Sequence, residues 1–305
     1  MTTDFHKISI LMNSHNGAKY INDSVGSIIA QTHKNWELVF FDNCSDDDSH
    51  NILKKFNDSR IKYFSSKKFL SLGQARKCAE NYLNGDFIAI LDVDDLWLPN
   101  KLKNQIEILS KNMDTSFIFT AVNFFNNSNS KIFFPYKKFI KKNFFKEFLF
   151  NYRVPLESIL INKKYIDKLK YFFDDRYNSI TDFDLLLRLS EISKVIYVPE
   201  ITASWRLHDN NDTVKYPFYF VDEKKKWLKQ NKKKIININP KYFYILDEKN
   251  EFERIRITLN IYGRVKSLKE LFKLKNYNFK FFVYFFFILT PFSRFYLKKR
   301  HNKYL

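Results

Sequence analysis

The sequence predicts an α/β fold, a mostly parallel sheet flanked by helices, followed by a helical, basic and aromatic extension. Two observations support this prediction. Short apolar segments alternate with helical patterns through the first half of the chain, and the composition becomes rich in Lys and Asn beyond about Pro217. Alternation of strands and helices with short links is typical of parallel pairing through crossover helices.

The elements follow from apolar runs and helical periodicity. The predicted strands are 7–12, 36–42, 61–64, 86–91, 116–125, 131–136 and 195–198. The predicted helices are 20–30, 46–56, 71–83, 100–109, 142–150 and 182–192. Ligands of such sheets bind beyond the carboxyl ends of the strands. Polar clusters follow the first, second and fourth strands, at 13–17, 42–48 and 92–95, so we expect the site there.

Length and composition limit the class of protein. A chain of 305 residues with 45% apolar residues buries a large core, which excludes wholesale disorder. Its two cysteines, Cys44 and Cys78, exclude a disulfide scaffold and a Cys-rich zinc site. No Walker or G-x-G-x-x-G phosphate loop is present among its five glycines.

The net charge of +19 is unevenly distributed, which argues against a nucleic-acid-binding module. Residues 1–97 hold 11 Lys and Arg against 13 Asp and Glu, whereas residues 264–305 hold 11 against one. The pattern predicts an acid-lined site in the N-terminal third of the chain. It also predicts a basic surface, formed by the later residues, that meets an anionic partner.

The apolar stretch 281–292 covers roughly 18 Å as a helix, against about 30 Å for a bilayer core, so we do not expect it to span. Its basic flanks suit an anionic membrane surface, and a helix buried against the catalytic domain is the alternative. With no recognisable signal peptide and two cysteines, we expect the cytoplasm.

Asp92-Val93-Asp94-Asp95 places three carboxylates directly after a buried strand. Like charges this close repel one another unless a cation or donors neutralise them, and carboxylate oxygens suit Mg²⁺ or Mn²⁺. The motif therefore favours a metal site that contacts a diphosphate over a simple helix cap, for which one Asp is enough.

Four further positions are ambiguous when taken singly. Asp42 could accept hydrogen bonds from a nucleotide or form a turn, and Arg76 could contact a diphosphate or lie in solvent. Asp182 and Asp184 could supply a general base or cap a helix. His208 could bind metal or phosphate, or be structural.

Taken in order, these segments resemble the family 2 glycosyltransferases over roughly residues 6–212. The matching segments are Ile8–Gly17, Trp36–Ser45, Gly73–Lys77, Phe87–Leu98 with its Asp-x-Asp motif, Thr181–Leu189 and Trp205–His208. The chain departs from the family pattern at Asn13, His15, Asn43, Cys44 and Thr181.

The resemblance implies a GT-A fold and an inverting, metal-assisted transfer of sugar from a nucleotide sugar, with a UDP-sugar favoured, to a saccharide or lipid-linked acceptor in surface-glycan synthesis. It implies donor binding by Ser14, His15, Asn16, Asp42, Arg76, Asp92 and Asp95. It implies Mn²⁺ or Mg²⁺ on Asp92, Asp94 and His208, with Asp182 as general base and Asp184 as its substitute. A nucleotidyltransferase on a similar fold is the alternative enzyme.

We expect a catalytic domain at 1–215, with a nucleotide-binding half at 1–97 and an acceptor half at 98–215. The helical extension is 216–305, and its residues 264–305 are the predicted membrane-association segment. The expected location is the cytoplasmic face of the inner membrane.

Overall fold

A computed structural model describes residues 5–274, 279–290 and 293. Its strands are β1 (Ile8–Ser14), β2 (Trp36–Asp42), β3 (Ile61–Ser65), β4 (Phe87–Ile90), β5 (Leu96–Trp97), β6 (Thr115–Phe125), β7 (Ser130–Phe133), β8 (Ile140–Lys142), β9 (Leu160–Asn162) and β10 (Lys194–Arg206). Its helices are α1 (Ala18–Ile29), α2 (Ser49–Lys54), α3 (Leu72–Ala79), α4 (Lys101–Ser110), α5 (Phe145–Phe150), α6 (Lys163–Ile166), α7 (Thr181–Ile192), α8 (Asp212–Lys215), α9 (Tyr219–Gln230), α10 (Lys232–Ile238), α11 (Pro240–Tyr262), α12 (Arg264–Phe272) and α13 (Phe279–Leu289).

The strands form one sheet in the order β3-β2-β1-β4-β9-β6-β10-β5, with β7 paired to β6 and β8 paired to β10. The predicted α/β class and the parallel pairing of β3, β2, β1 and β4 are confirmed. Both β1 and β2 are largely buried on both faces, as expected of strands in a parallel sheet covered by helices on its two sides.

The second half of the sheet is mixed in direction. The three-residue strand β9 pairs antiparallel with both β4 and β6, whereas β6 and β10 run parallel through a register with three irregularities. The long β10 continues to Arg206, well beyond the predicted end at Val198. This extension brings the end of β10 to β5, which directly follows the Asp92–Asp95 loop.

A charge network lies at the end of the sheet where β1 and β2 begin. The Glu37 carboxylate is 2% exposed and accepts hydrogen bonds from Lys7 Nζ, Lys62 Nζ and Ser9 Oγ, each at 2.6 Å. The Asn84 backbone N–H donates a fourth bond at 3.1 Å. Burial alone would raise the pKa of Glu37, but these four donors outweigh it and lower the pKa to about 2.

The chain divides into a unit that ends at Leu207 and a second unit that begins at His208. The second unit is helical and has a small apolar core of its own, which includes Phe252, Leu271, Phe281 and Ile288. Among the described residues, no helix has both the length and the apolar character needed to cross a bilayer.

Candidate functional site

The candidate site lies at the carboxyl ends of β1, β2 and β4. The register pairs Ser14 at the end of β1 with Asp42 at the end of β2. Asp92 follows β4 on the other side of β1, so β2 and β4 end roughly 10 Å apart. We call Ser14, Asp42, Arg76, Asp92 and Asp94 the strand-end site.

The turn after β1 is tied to the turn after β2. Asn16, whose φ of 55° is left-handed, donates its backbone N–H to Ser45 Oγ at 2.9 Å and accepts from the Asp46 N–H at 3.0 Å. A Cβ on Gly17 would lie 2.3 Å from Ser14 Oγ and 2.9 Å from Val93, so only glycine allows this approach. The turn is thereby held against the Asp92–Asp95 loop.

Asp42 is 4% exposed, and both of its carboxylate oxygens have partners. Oδ1 accepts the Ser45 N–H at 2.9 Å, and Oδ2 accepts the Tyr63 hydroxyl at 2.7 Å. The Asp therefore closes its own turn at the end of β2. The turn-forming role is thus observed, and hydrogen bonding to a nucleotide stays a prediction.

Asn43 and Cys44 occupy the two positions where the sequence departs from the family turn. The Asn43 side chain donates to Leu70 O at 2.8 Å and accepts from Leu70 N at 2.9 Å, which fixes the loop after β3. That loop carries Phe69, 62% exposed, whose ring lies 4.6 Å edge-on from the exposed His15 imidazole. Cys44 has a φ of 62°, a left-handed conformation that glycine adopts without strain.

The acidic loop after β4 is anchored by Arg206 at the end of β10. Arg206 donates its backbone N–H to Asp95 Oδ1 at 2.8 Å and its Nε to Asp94 O at 2.9 Å. Asp95 is 3% exposed, whereas the Asp92 side chain keeps 42% of its surface open. The strand β5 separates the loop from α4, so none of these acids caps that helix.

Arg76 on α3 joins the strand-end site to α7. Its guanidinium donates to Thr181 Oγ1 at 2.6 Å and lies 3.3 Å from Asp92 Oδ1. Arg76 is only 3% exposed, so the alternative of a solvated surface arginine is wrong. Among the described residues, the buried Arg76 Nε and Ser14 Oγ have no hydrogen-bond partner, which leaves two polar atoms for a ligand.

The two acids that open α7 have different environments. Asp182 is half-buried, and its Oδ2 accepts the Tyr152 hydroxyl at 2.8 Å. Asp184 is 3% exposed and is bound by Arg188, whose Nε and Nη2 both lie 2.8 Å from Oδ2. Arg188 also donates to the carbonyls of Tyr171 and Phe172. Asp184 thus holds a buried structural arginine.

The crowding of carboxylates changes their titration. Burial raises the pKa of Asp92, and Asp94 and Asp182 raise it further, although Arg76 opposes them. Burial also raises the pKa of Glu157 to about 8, with Asp92 and Asp94 adding to the shift. A bound cation would offset this repulsion, and that is the electrostatic character expected of a metal site.

The donor set fits a hydrated divalent ion. Mg²⁺ keeps several waters and binds through one or two carboxylates plus substrate phosphates. Asp92 and Asp94 can provide the two carboxylates. Within residues 5–274, 279–290 and 293, no three His, Cys, Asp or Glu side chains are arranged as a metal site. His208 begins the second unit, where its backbone N–H donates to Asn211 Oδ1 at 2.7 Å.

Sequence reasoning missed Tyr152 and Glu157 and gave Arg206 no role. Glu157 lies in a short turn, 4% exposed, and its Oε1 has no partner among the described residues. A glutamate between Leu156 and Ser158 in an otherwise apolar stretch was the available signal. Tyr152 offered none, because its partner is 30 residues away.

Comparisons with known proteins agree with this geometry. The model for "Glycosyl transferase family 2" matches residues 9–168. The Escherichia coli UDP-Glc:alpha-D-GlcNAc-diphosphoundecaprenol beta-1,3-glucosyltransferase WfgD is 38% identical over 126 residues, which are 41% of this chain and 49% of that protein. The chain therefore spans about half the length of this curated relative.

Two solved structures share the fold. Staphylococcus aureus TarS 1–349 in complex with UDP-GlcNAc has a TM-score of 0.65 at 15% identity, covering 87% of this chain and 79% of TarS. GalNAc-T7 with UDP, GalNAc and Mn²⁺ has a TM-score of 0.54 at 15% identity, covering 67% and 44%. At this identity the likeness shows the fold alone, which is the GT-A fold that the resemblance implied.

Proposed function

Because this chain belongs to glycosyl transferase family 2 and is a glycosyltransferase, we propose that it moves a sugar from a nucleoside-diphosphate sugar, a UDP-sugar above all, to an acceptor hydroxyl. The proposed acceptor is a saccharide or a lipid-linked saccharide of a bacterial surface glycan, and the name of WfgD gives alpha-D-GlcNAc-diphosphoundecaprenol, a lipid-linked sugar, for that relative. The observation that carries the proposal is the Arg76 bridge, which connects the Asp92 loop to the start of α7.

We propose that the donor lies along the ends of β1, β2 and β4. Asp42 and the turn residues His15 and Asn16 face the nucleoside. The unpartnered Ser14 Oγ and Arg76 Nε donate to the diphosphate, where charge-assisted bonds are strong. Asp95 supports the sugar end, held in place by its bond from the Arg206 N–H. In this arrangement residues 1–97 bind the nucleotide and residues 98–215 bind the acceptor.

Asp92 and Asp94 would hold Mn²⁺ or Mg²⁺ through their carboxylate oxygens. When bound, such an ion offsets the charge of the diphosphate and makes it a better leaving group. Burial raises the pKa of Asp92 and the Asp94 and Asp182 carboxylates add to the rise, which supports this assignment because a cation would offset their repulsion. Replacing Asp94 with Ala should remove the response to Mn²⁺ titration after chelation. An Asp94→Ala variant that transfers normally in chelator would refute the metal role.

Asp182 is the proposed general base. It accepts the proton of the acceptor hydroxyl as the oxygen attacks the anomeric carbon from the face opposite the diphosphate, so the configuration inverts. Asp184 is the weaker choice, because Arg188 already holds its carboxylate in a buried pair. Asp182 is therefore partly exposed, whereas the carboxylate of Asp184 is held in a structural ion pair with Arg188.

The test is sugar transfer by Asp182→Asn. Loss of a general base should lower kcat by about 10²–10⁴-fold while leaving nucleotide binding unchanged. Asp167→Asn is the matched control, since Asp167 is an exposed acid paired with Lys163 outside the site. Products are measured as released nucleoside diphosphate and as the anomeric configuration of the new bond. Transfer by Asp182→Asn at the wild-type rate would rule out this base.

We further propose that the second unit meets the cytoplasmic face of the inner membrane. One face of α13 carries an aromatic stripe of exposed residues: Phe279, Phe282, Val283, Phe286 and Leu289. The exposed Lys266 and Lys269 lie on the adjacent α12, and the exposed Lys273 directly follows it. Apolar rings beside cations suit an anionic headgroup layer. Of the predicted tail, Lys275, Pro291, Phe292, Arg294 and residues 298–300 lie outside the described residues.

Vesicle flotation tests the aromatic stripe. The double variant Phe282→Ser, Phe286→Ser should float less with vesicles that contain an anionic phospholipid than the wild-type chain does. The control is Ile132→Ser, Phe134→Ser, two exposed apolar residues near β7 in the first unit. Equal flotation of the wild type and the stripe variant would refute the membrane assignment.

A further inference from the structure

Among the described residues, Tyr152 is the one side chain that hydrogen-bonds to the carboxylate of the proposed base, Asp182. It follows α5 by two residues and donates its hydroxyl to Asp182 Oδ2 at 2.8 Å. Within the described part of the chain, Asp182 Oδ1 has no hydrogen-bond partner. One oxygen of the carboxylate is therefore occupied, and the other remains able to accept a proton.

The position of the Tyr152 ring is set by two buried aromatic residues. Its centroid lies 6.0 Å from Phe148 on α5 and 5.4 Å from Phe183 on α7, both edge-on, and both of these rings are fully buried. Edge-to-face contacts of this kind fix the orientation of an aromatic ring. Since Phe183 is the neighbour of Asp182 in α7, the same packing aligns the hydroxyl with the carboxylate.

The charges around this pair explain why a donor is needed there. Arg76, Asp92 and Glu157 are the charged or titratable groups that face Tyr152 and Asp182. Arg76 donates its hydrogen bonds to Thr181 and Asp92 rather than to Asp182. Burial and the nearby Asp182 raise the pKa of Tyr152, so its hydroxyl stays protonated and acts as a donor.

We propose that Tyr152 is a positioning residue for the general base, fixing the Asp182 carboxylate so that its other oxygen, Oδ1, faces the acceptor hydroxyl. This inference rests on the proposed sugar transfer and on Asp182 as its base. The sugar acceptor gives its proton to Oδ1, while Tyr152 keeps its own proton throughout. Tyr152 therefore acts only through Asp182.

The test is the pH profile of kcat/KM for the acceptor with Tyr152→Phe, which keeps the ring and removes the hydroxyl. A carboxylate that loses one charge-assisted hydrogen bond holds its proton more tightly. The acid limb should move up by about one pH unit, and the rate at the wild-type midpoint should fall about fivefold. The KM for the nucleotide donor should stay unchanged, since Tyr152 does not contact the donor positions.

Tyr165→Phe is the matched control, because that tyrosine donates its hydroxyl to the Met113 carbonyl away from the site. Its acid limb should coincide with that of the wild type. If Tyr152→Phe has the wild-type limb and rate, or loses thermal stability without moving the limb, the positioning role is overturned while the sugar transfer stands. A wild-type chain that transfers no sugar, or an Asp182→Asn chain with full activity, overturns the base assignment and this inference together.

Discussion

The Glu37 network gives a prediction whose size follows from the structure. Four donors lower the pKa of this buried carboxylate from 4.5 to about 2, a difference of two and a half units. At 1.36 kcal/mol per unit, the ionised carboxylate contributes up to about 3 kcal/mol to folding. Lys7 and Lys62 are 37% and 42% exposed, so solvent screening reduces their share, and about 2 kcal/mol is the expected loss in Glu37→Gln.

The pH dependence has a definite sign. A lowered pKa means that the unfolded state binds the proton more readily, so the contribution is complete above about pH 4.5 and declines as the pH falls toward 2. The stability gap between the wild type and Glu37→Gln should therefore narrow below pH 4.5. Urea unfolding followed by tryptophan fluorescence measures it, because Trp36, Trp97 and Trp205 all lie in the first unit.

The control for Glu37→Gln is Asp167→Asn, which removes an exposed acid in an i, i+4 pair with Lys163 and should cost under about 0.5 kcal/mol. Two results would refute the reasoning. One is a Glu37→Gln variant as stable as this control at pH 7, and the other is a stability gap that stays constant down to pH 3.

Three further substitutions test other parts of the structure. Cys44→Gly should stabilise the chain by about 1 kcal/mol in urea unfolding, because glycine adopts the left-handed φ freely, and Cys44→Ala should bring no such gain. Asp184→Asn should destabilise it by about 3–5 kcal/mol in the same assay, because Arg188 is left as a buried unpaired charge, while kcat per folded molecule survives. Glu157→Gln should become more stable than the wild type as the pH rises from 4.5 to about 8, since a raised pKa costs stability over that range, and a gap that is independent of pH would contradict this.

The sequence could predict which segments meet at the carboxyl ends of β1, β2 and β4 because the information there is local. Apolar runs located β1, β2 and β4, and in a parallel sheet the residues after each strand must meet at one edge. The matching order of segments then gave Asp42, Asp92 and Asp182 their expected roles. The spacing of residues within each segment was enough to assign these expected roles, and contacts between distant segments did not have to be known.

The remainder depended on contacts between distant segments. The three-residue β9 has no readable period, so nothing in the sequence placed it between β4 and β6. Helical periodicity did not show which side of α3 faces α7. The sequence therefore allowed both a solvent-exposed Arg76 and a buried Arg76 that hydrogen-bonds to α7. The Tyr152–Asp182 bond likewise exists only because α5 and α7 pack together.

The left-handed turn at Cys44 has a practical consequence. It exposes a thiol two residues after Asp42, and the chain has one other thiol, the exposed Cys78 on α3. The two cysteines thus form a native pair of probe and reference. The ratio of their alkylation rates would report occupancy at the end of β2 in the unmodified protein, with Cys78 correcting for reagent strength and pH.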